Sequence, residues 1–415
     1  MIKKKMVSFI GIIFVFLIFM QHRYAFISFD DYGYASLSYG WTGNTSGMAY
    51  TVPDVFSFLK WHYLNWGGRV LYFFFEIMAL KTGGTELIQT VQAVIIILIC
   101  IVSGKIVAVL TECDEEQSIA LSLILYGTFT LRTVRDGIYW YSASVSYVWP
   151  LLPLYDEYYS KSILIRLIEN TGKIVNTNIG FWNWVFLIIM TIFCGTAVAV
   201  YFKSRKIFAL TCIFAGYYIV EQFISDPLVI GTVVRVIWAG FFFVVLSLYY
   251  HRKENYWILS MLIAGICSQA AMVVSPTIYT RCHTMMEFIL HIVLVECIIS
   301  IAGSDVTKQM RRCNVAFHLC AAVLCIYALL NLCSIIGGYK ENDEINKINH
   351  YKLIEAGKKY QEGKTIGDLE LYKLYDDRYT TCMPYQEEYE YIEWWMKNYY
   401  ELPADVRFGW SELGQ

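Results

Sequence analysis

Asp30 and Asp31 stand side by side in Phe29-Asp30-Asp31-Tyr32-Gly33, just past the first long apolar run of the chain. A carboxylate within reach of a hydroxyl acts as a general base by taking its proton. Ionised, it also orients a sugar by accepting hydrogen bonds from neighbouring hydroxyls. Adjacent carboxylates repel, so one of them is pushed toward its neutral form unless a cation sits nearby. The ordinary alternative is a solvated turn, because Asp-Tyr-Gly is turn-forming. On these residues alone it is the stronger reading.

Three further groups carry possible chemistry. Trp61-His62-Tyr63 leads into Trp66-Gly67-Gly68-Arg69. A Gly-Gly pair lets the backbone approach a ligand closely, and an arginine fork grips a phosphate bidentately. Arg132, Arg135-Asp136 and Tyr139-Trp140-Tyr141 come next, followed by Ser142, Ser144 and Tyr147-Val148-Trp149-Pro150. These form a candidate sugar or lipid platform, although Arg135 and Asp136 are also placed to pair with one another. Last is Ser275-Pro276, where proline closes a helix, with Arg281 opening the next. Interfacial aromatic and arginine anchors are the ordinary explanation of all three. Glu221, Asp226, Glu287 and Glu296 lie in or near apolar runs, where ionisable groups mark transport or pair with one another; Arg281, His283 and His291 are candidate partners. Asn44-Thr45-Ser46 matches a glycosylation acceptor, a pattern common by chance. The 12 cysteines fall mostly in apolar runs and form no CxxC pair, so neither a zinc site nor a disulfide framework is expected.

Elements must hold these residues, and the composition says of what kind. The chain has 415 residues, is 57% hydrophobic and has a mean hydropathy of +0.45. That is more apolar surface than a soluble chain hides, so a polytopic membrane protein is expected. A net charge of −2 argues against a nucleic-acid partner. Apolar runs fall at residues 6–20, 87–110, 118–134, 181–202, 207–224, 228–250, 256–274, 283–302 and 313–336, each near the length that crosses roughly 30 Å of hydrocarbon. Stretches 70–80 and 145–168 read as interfacial or re-entrant helices; counting both as spans raises the total from about nine to about eleven.

Lys3-Lys4-Lys5, Lys203-Ser204-Arg205-Lys206, His251-Arg252-Lys253 and Lys308…Arg311-Arg312 all fall on one side if the N-terminus is cytoplasmic, as basic loops should. The first run reads as an uncleaved span, since Gln21-His22-Arg23-Tyr24 offers no small-residue cleavage site. Segments 21–86 and 135–180 and the tail from 338 then lie outside, on the face of the acidic pair. The expected division is a membrane domain at 1–337 and an external cap at 338–415, helical near 353–360 and aromatic at Trp394-Trp395-Met396-Lys397-Asn398-Tyr399-Tyr400. No internal repeat is visible, which disfavours an inverted-repeat transporter.

The order of these groups resembles the GT-C superfamily of polytopic glycosyltransferases, and within it a bacterial branch related to glucosyltransferases that modify surface polysaccharides. The resemblance rests on Phe29-Asp30-Asp31-Tyr32, Gly68-Arg69, Tyr147-Val148-Trp149-Pro150, Ser275 to Arg281, and Lys397-Asn398-Tyr399-Tyr400…Leu402-Pro403. The chain departs from the pattern at 160–178, which is more polar than a span, and after Ser142, where Ala143-Ser144 stands in place of a glycine. The resemblance implies an all-α polytopic membrane protein, a helical bundle of about nine to eleven spans, with interfacial helices in the first outer loop and a small external C-terminal segment. It implies transfer of a sugar from a polyprenyl-phosphate-linked donor to a cell-envelope glycan or lipid acceptor at the outer face, by inverting displacement. Asp30 would be the base and Asp31 the orienter, a choice the sequence leaves open. Arg69 and Arg281 would clamp the phosphate, and Tyr139 and Trp140 would line the acceptor side. Tyr32, His62, Trp66 and Arg135 complete the expected substrate-binding set. No metal or cofactor is required; the implied partners are the lipid-linked donor, the acceptor and membrane lipid. A polysaccharide polymerase or ligase, a lipid-linked-sugar transporter and a non-catalytic envelope protein are the alternatives.

Overall fold

The computed structural model describes residues 2–41, 47–65, 70–144, 184–221, 228–272, 284–303, 311–380 and 382–413. The candidate residues Trp66, Arg69 and Arg281, the Asn44-Thr45-Ser46 acceptor, Asp226, His283 and the stretch 145–168 lie outside them. The described chain is helical, apart from short 3-10 and π turns and one parallel two-stranded sheet. It divides into two compact units: residues 1–16, 96–130 and 156–332, and residues 17–95, 131–155 and 333–415. The tail thus groups with the segments that carry the acidic pair. Among the described residues three helices are long and apolar enough to cross a membrane: Phe73–Thr111, Met286–Gly303 and Phe317–Gln361.

In the first unit the Trp184–Tyr201 helix packs against the Arg205–Glu221, Leu228–Arg252 and Thr284–Gly303 helices. Their sequences are apolar on nearly every face, the pattern of a helix with no water-facing side. Tyr218, Trp238, Tyr250 and Val293 fill the middle. Two connections share one design: Lys203 and Glu254 take left-handed φ values of 49° and 57°. The next residue then caps the following helix, Ser204 Oγ accepting from Ile207 N at 3.3 Å and Asn255 Oδ1 from Ile258 N at 3.4 Å. Each cap satisfies an amide that the first turn leaves open.

Two acidic residues of this unit, Glu296 and Glu221, pair with cations that were not among the candidate partners. Glu296 is fully buried and pairs with Lys253 at 2.7 Å, with Tyr250 and Ser300 also donating to it. Glu221 pairs with Arg235 at 2.8 Å. His291 instead stacks on Phe186 and bonds Thr128 Oγ1 and the Glu287 carbonyl. The run 118–134 is not one helix. Its helix spans Glu115–Tyr126, about 18 Å long. The chain then turns at Gly127, where Asn331 Nδ2 donates to the Gly127 and Phe129 carbonyls at 2.9 and 2.7 Å. Helix Val70–Thr111 crosses Glu115–Tyr126 so closely at Gly104 that a Cβ there would lie 2.5 Å from Ile119 Cα.

In the second unit, Tyr34, Val55, Leu59, Phe73 and Ile77 form an aromatic-rich core between the Val52–Asn65 helix and the start of Val70–Thr111. That long helix is broken at Gly84 (φ 59°, ψ −158°), so the expected interfacial stretch 70–80 is its first piece. The Arg311–Gln361 helix continues well past the apolar run that ends near 336. Its polar half is recruited by two asparagines two turns apart. Asn349 exchanges a pair of hydrogen bonds with the backbone of Tyr372, and Asn342 does the same with Asp376. These amides hold the strand Leu369–Tyr372, which pairs in parallel with Phe408–Ser411. Helix Ile392–Tyr399 precedes that second strand and packs on the short helix Asp31–Ala35.

Gly104→Ala is expected to cost about 1–3 kcal/mol, since Ile119 backbone cannot yield without moving its helix. Gly216→Ala, where a Cβ meets nothing within 4 Å, is expected to be neutral or stabilising. Thermal unfolding of the two solubilised variants side by side checks the close crossing.

Candidate functional site

The first helix ends at Arg23 and the chain runs irregularly to Phe29, which adopts a left-handed φ of 50°. That conformation costs a non-glycine residue about 1–2 kcal/mol. Here it is held by ring packing: Phe29 meets Trp140 edge-on at 5.0 Å and Trp395, Tyr389 and Tyr391 at 6.1–6.4 Å. The turn sets Asp30 just before the helix Asp31–Ala35, yet its carboxylate makes no capping bond to that helix. Instead Asp30 Oδ1 accepts from Trp140 Nε1 at 2.5 Å.

Asp31 points into the same region and is fully buried. Its Oδ1 accepts from the Ser142 amide at 2.8 Å and hydroxyl at 2.6 Å, and its Oδ2 from the Ser28 amide at 3.2 Å. Ser142 Oγ also lies 2.7 Å from Glu76 Oε1, another buried carboxyl. The donors are aimed by an unusual piece of backbone. Val134–Tyr139 winds as a π-helical turn, and Trp140 N closes it on the Arg135 carbonyl. The backbone then becomes extended at Trp140 and helical again at Tyr141–Ser144. π turns of this kind recur at functional sites.

The acidic pair is therefore not a solvated turn. Burial pushes the Asp31 carboxyl up to about 8, and the neighbouring Asp30 charge pushes the same way. The donors from Ser142 and Ser28 oppose both, because they favour the ionised form.

The other sequence candidates fall in different places. Trp140 is at the pair, but as a buried hydrogen-bond donor and not as an open platform. Tyr139 is also buried, edge-on to His22 and Tyr339. Tyr32 is buried against Tyr399 and Tyr400 of the tail. His62 lies in the aromatic core, its Nε2 3.2 Å from Tyr34 Oη. Arg135 grips its neighbour Asp136 through two nitrogens, at 2.5 and 3.0 Å, and donates to the Arg378 carbonyl at 3.2 Å. The pairing open in the sequence is thus the arrangement adopted. One participant was missed: Glu76, legible as the lone charge in the apolar stretch 70–80. Trp395, one of the tail aromatics marked in the sequence, brings its ring to 3.1 Å from where a Gly33 Cβ would be.

A small cleft of about 30 Å³ is lined in part by Ser28, Phe29, Tyr32, His350, Tyr400 and Trp410, and by neither aspartate. It has room for a guest the size of water and not for a sugar ring. Among the described residues no cluster of three His, Cys, Asp or Glu is placed to hold a metal ion.

No protein-family model, curated protein or solved structure matches this chain. The functional reading rests on the residues and their geometry.

The Asp31 carboxyl has a measurable signature. Folded, it keeps its proton to about pH 8, against an ordinary 3.8. Between those values the folded chain binds more protons than the unfolded one, so this contribution to stability is full below pH 3.8 and lost as pH rises through 8. Unfolding midpoints of the solubilised protein are expected to fall across that window, and Asp31→Asn to flatten the fall. An identical slope in the variant would show that another group is responsible.

Proposed function

We propose that the chain is a polytopic membrane glycosyltransferase of GT-C type. It moves a sugar from a polyprenyl-phosphate carrier to a cell-envelope glycan or lipid at the outer face of the plasma membrane. The carrying observation is the buried acidic pair, with Asp30 oriented by an indole N–H among aromatic rings. In an inverting displacement the acceptor oxygen bonds to the anomeric carbon as the bond from that carbon to the carrier phosphate breaks. The acceptor's proton goes to Asp30, and the bonding pair leaves with the phosphate as an anion. Arg69 is the proposed phosphate clamp of this unit; Arg135 is already committed to Asp136.

Membrane placement is supported by the three long apolar helices. It is supported also by the open apolar stripe Leu319, Val323, Ile326 and Leu330, spaced as one helical face. With about nine to eleven spans and a cytoplasmic N-terminus, the basic clusters fall inside and the acidic pair and the tail fall outside. The tail aromatics over Phe29 and Gly33 then act as a cover that must lift before a sugar reaches Asp30.

A second reading, a lipid-linked-sugar transporter, is favoured by one observation: two buried carboxyls, Asp31 and Glu76, meet at one serine hydroxyl. One experiment separates the two. The protein in vesicles with a polyprenyl-phosphate sugar and a glycan acceptor is expected to form glycosyl product, and Asp30→Asn to reduce it by about 100-fold or more while membrane accumulation is unchanged. Full transfer by both Asp30→Asn and Asp31→Asn would end the enzymatic reading. Translocation of the carrier without product would put the transporter in its place.

A further inference from the structure

The Ser142 hydroxyl carries one hydrogen but stands between two carboxyl oxygens, 2.6 Å from Asp31 Oδ1 and 2.7 Å from Glu76 Oε1. It donates to only one of them. If both acids were ionised, the other contact would set oxygen against oxygen at hydrogen-bond distance with no hydrogen between them. A proton on one acid removes the conflict: its O–H donates to Ser142 Oγ, and Ser142 Oγ–H donates onward. The Ser142 amide, 2.8 Å from Asp31 Oδ1, holds that oxygen in place beside the hydroxyl.

We propose that Asp31, Ser142 and Glu76 form a proton-holding relay that keeps one proton in the resting protein and leaves Asp30 as the ionised carboxylate of the pair. In the resting form Asp31 is the acid: its O–H donates to Ser142 Oγ, whose own hydrogen goes to the Glu76 carboxylate. Asp31 and Glu76 are positioning residues, acting on the substrate only through the charge they leave on Asp30. Neutralising Asp31 also removes the repulsion that two adjacent carboxylates would otherwise suffer in a buried site. The relay settles which aspartate is free to take a proton, and only that consequence rests on the glycosyltransferase reading.

The groups around Asp31 are mostly acids and phenols. Asp30 and Tyr32 face it from its own segment, Glu76 from the Val70–Thr111 helix and Tyr141 from Tyr141–Ser144. Tyr399 of the tail faces Tyr32, and Asp343 of the Arg311–Gln361 helix faces Tyr141. The direction in which Asp31 is pushed, up to about 8, agrees with the geometry.

Infrared titration of the purified full chain carrying carboxyl-labelled aspartate reads the proton without any substrate. A protonated aspartate band is expected at pH 6, vanishing with a midpoint near 8, and absent in Asp31→Asn. Asp30→Asn is expected to keep the band and lower its midpoint, because a like charge is gone. Glu76→Gln is also expected to lower it, since an amide N–H turned to Ser142 lets the hydroxyl donate to Asp31. Ser142→Thr retains the hydroxyl and is expected to titrate as the parent does. No aspartate band at pH 6, a band that survives Asp31→Asn, or an unmoved midpoint in Glu76→Gln would each overturn the relay. A band that behaves as expected together with full sugar transfer by both Asp30→Asn and Asp31→Asn would leave the relay standing and remove the enzyme. The reverse pair of results would do the opposite.

Discussion

The indole N–H of Trp140 on Asp30, and the amide and hydroxyl of Ser142 on Asp31, allow two adjacent carboxyls to leave water. An uncompensated charge in a protein interior costs more than most domains have in total stability. The segments that meet that cost are far apart in the chain, so the acidic pair and residues 140–142 can be buried only by folding together. The π turn at Val134–Tyr139 and the extended backbone at Trp140 follow from this demand, since a regular helix would not turn an indole and the next amide but one onto neighbouring carboxyls. The pair organises its unit more than it decorates it.

Around that centre, strain and cover are one device. Phe29 holds a left-handed backbone offset by its ring contacts, and those rings belong to Trp140 on one side and the tail on the other. Gly33 lets the Trp395 ring come down onto the helix that begins at Asp31. The tail is fixed in turn by Asn342 and Asn349, which supply strand-like hydrogen bonds from the face of a helix. A loosened tail would therefore relax Phe29 and uncover the carboxyls together.

Much of the helical framework could be read from the apolar runs. The expected runs 228–250, 256–274 and 283–302 match helices Leu228–Arg252, Tyr256–Met272 and Thr284–Gly303 to within a few residues. Polar turns such as Lys203-Ser204 and Glu254-Asn255 mark where such helices stop. Hydropathy could not show that run 118–134 breaks at Gly127, because what holds the break is an asparagine some two hundred residues later. Nor could it show that the polar residues after 336 continue one long helix, since they are stabilised by contacts with the tail and not by their own periodicity. The acidic pair was visible at once, but its burial was not. Its side-chain donors Trp140 and Ser142 lie 110 and 111 residues away, and a serine or tryptophan carries no mark of what it will bond. Arg135 misled for the converse reason: its partner was the adjacent residue, and the local pairing prevailed.

The order in which the chain leaves the ribosome gives the cover another meaning. Asp30 and Asp31 emerge early, whereas Trp395 and the strand Phe408–Ser411 follow only after every long apolar helix has been made. Throughout that interval nothing from the tail covers the pair, and a hydrated carboxyl pair is fully charged near neutral pH. Charged carboxyls resist entry into hydrocarbon, so if neighbouring apolar helices enter a membrane, this stretch of chain would stay in water until the tail arrives. The same side chains are thus first a hydrated, charged pair and later, once enclosed, two buried carboxyls held by distant donors.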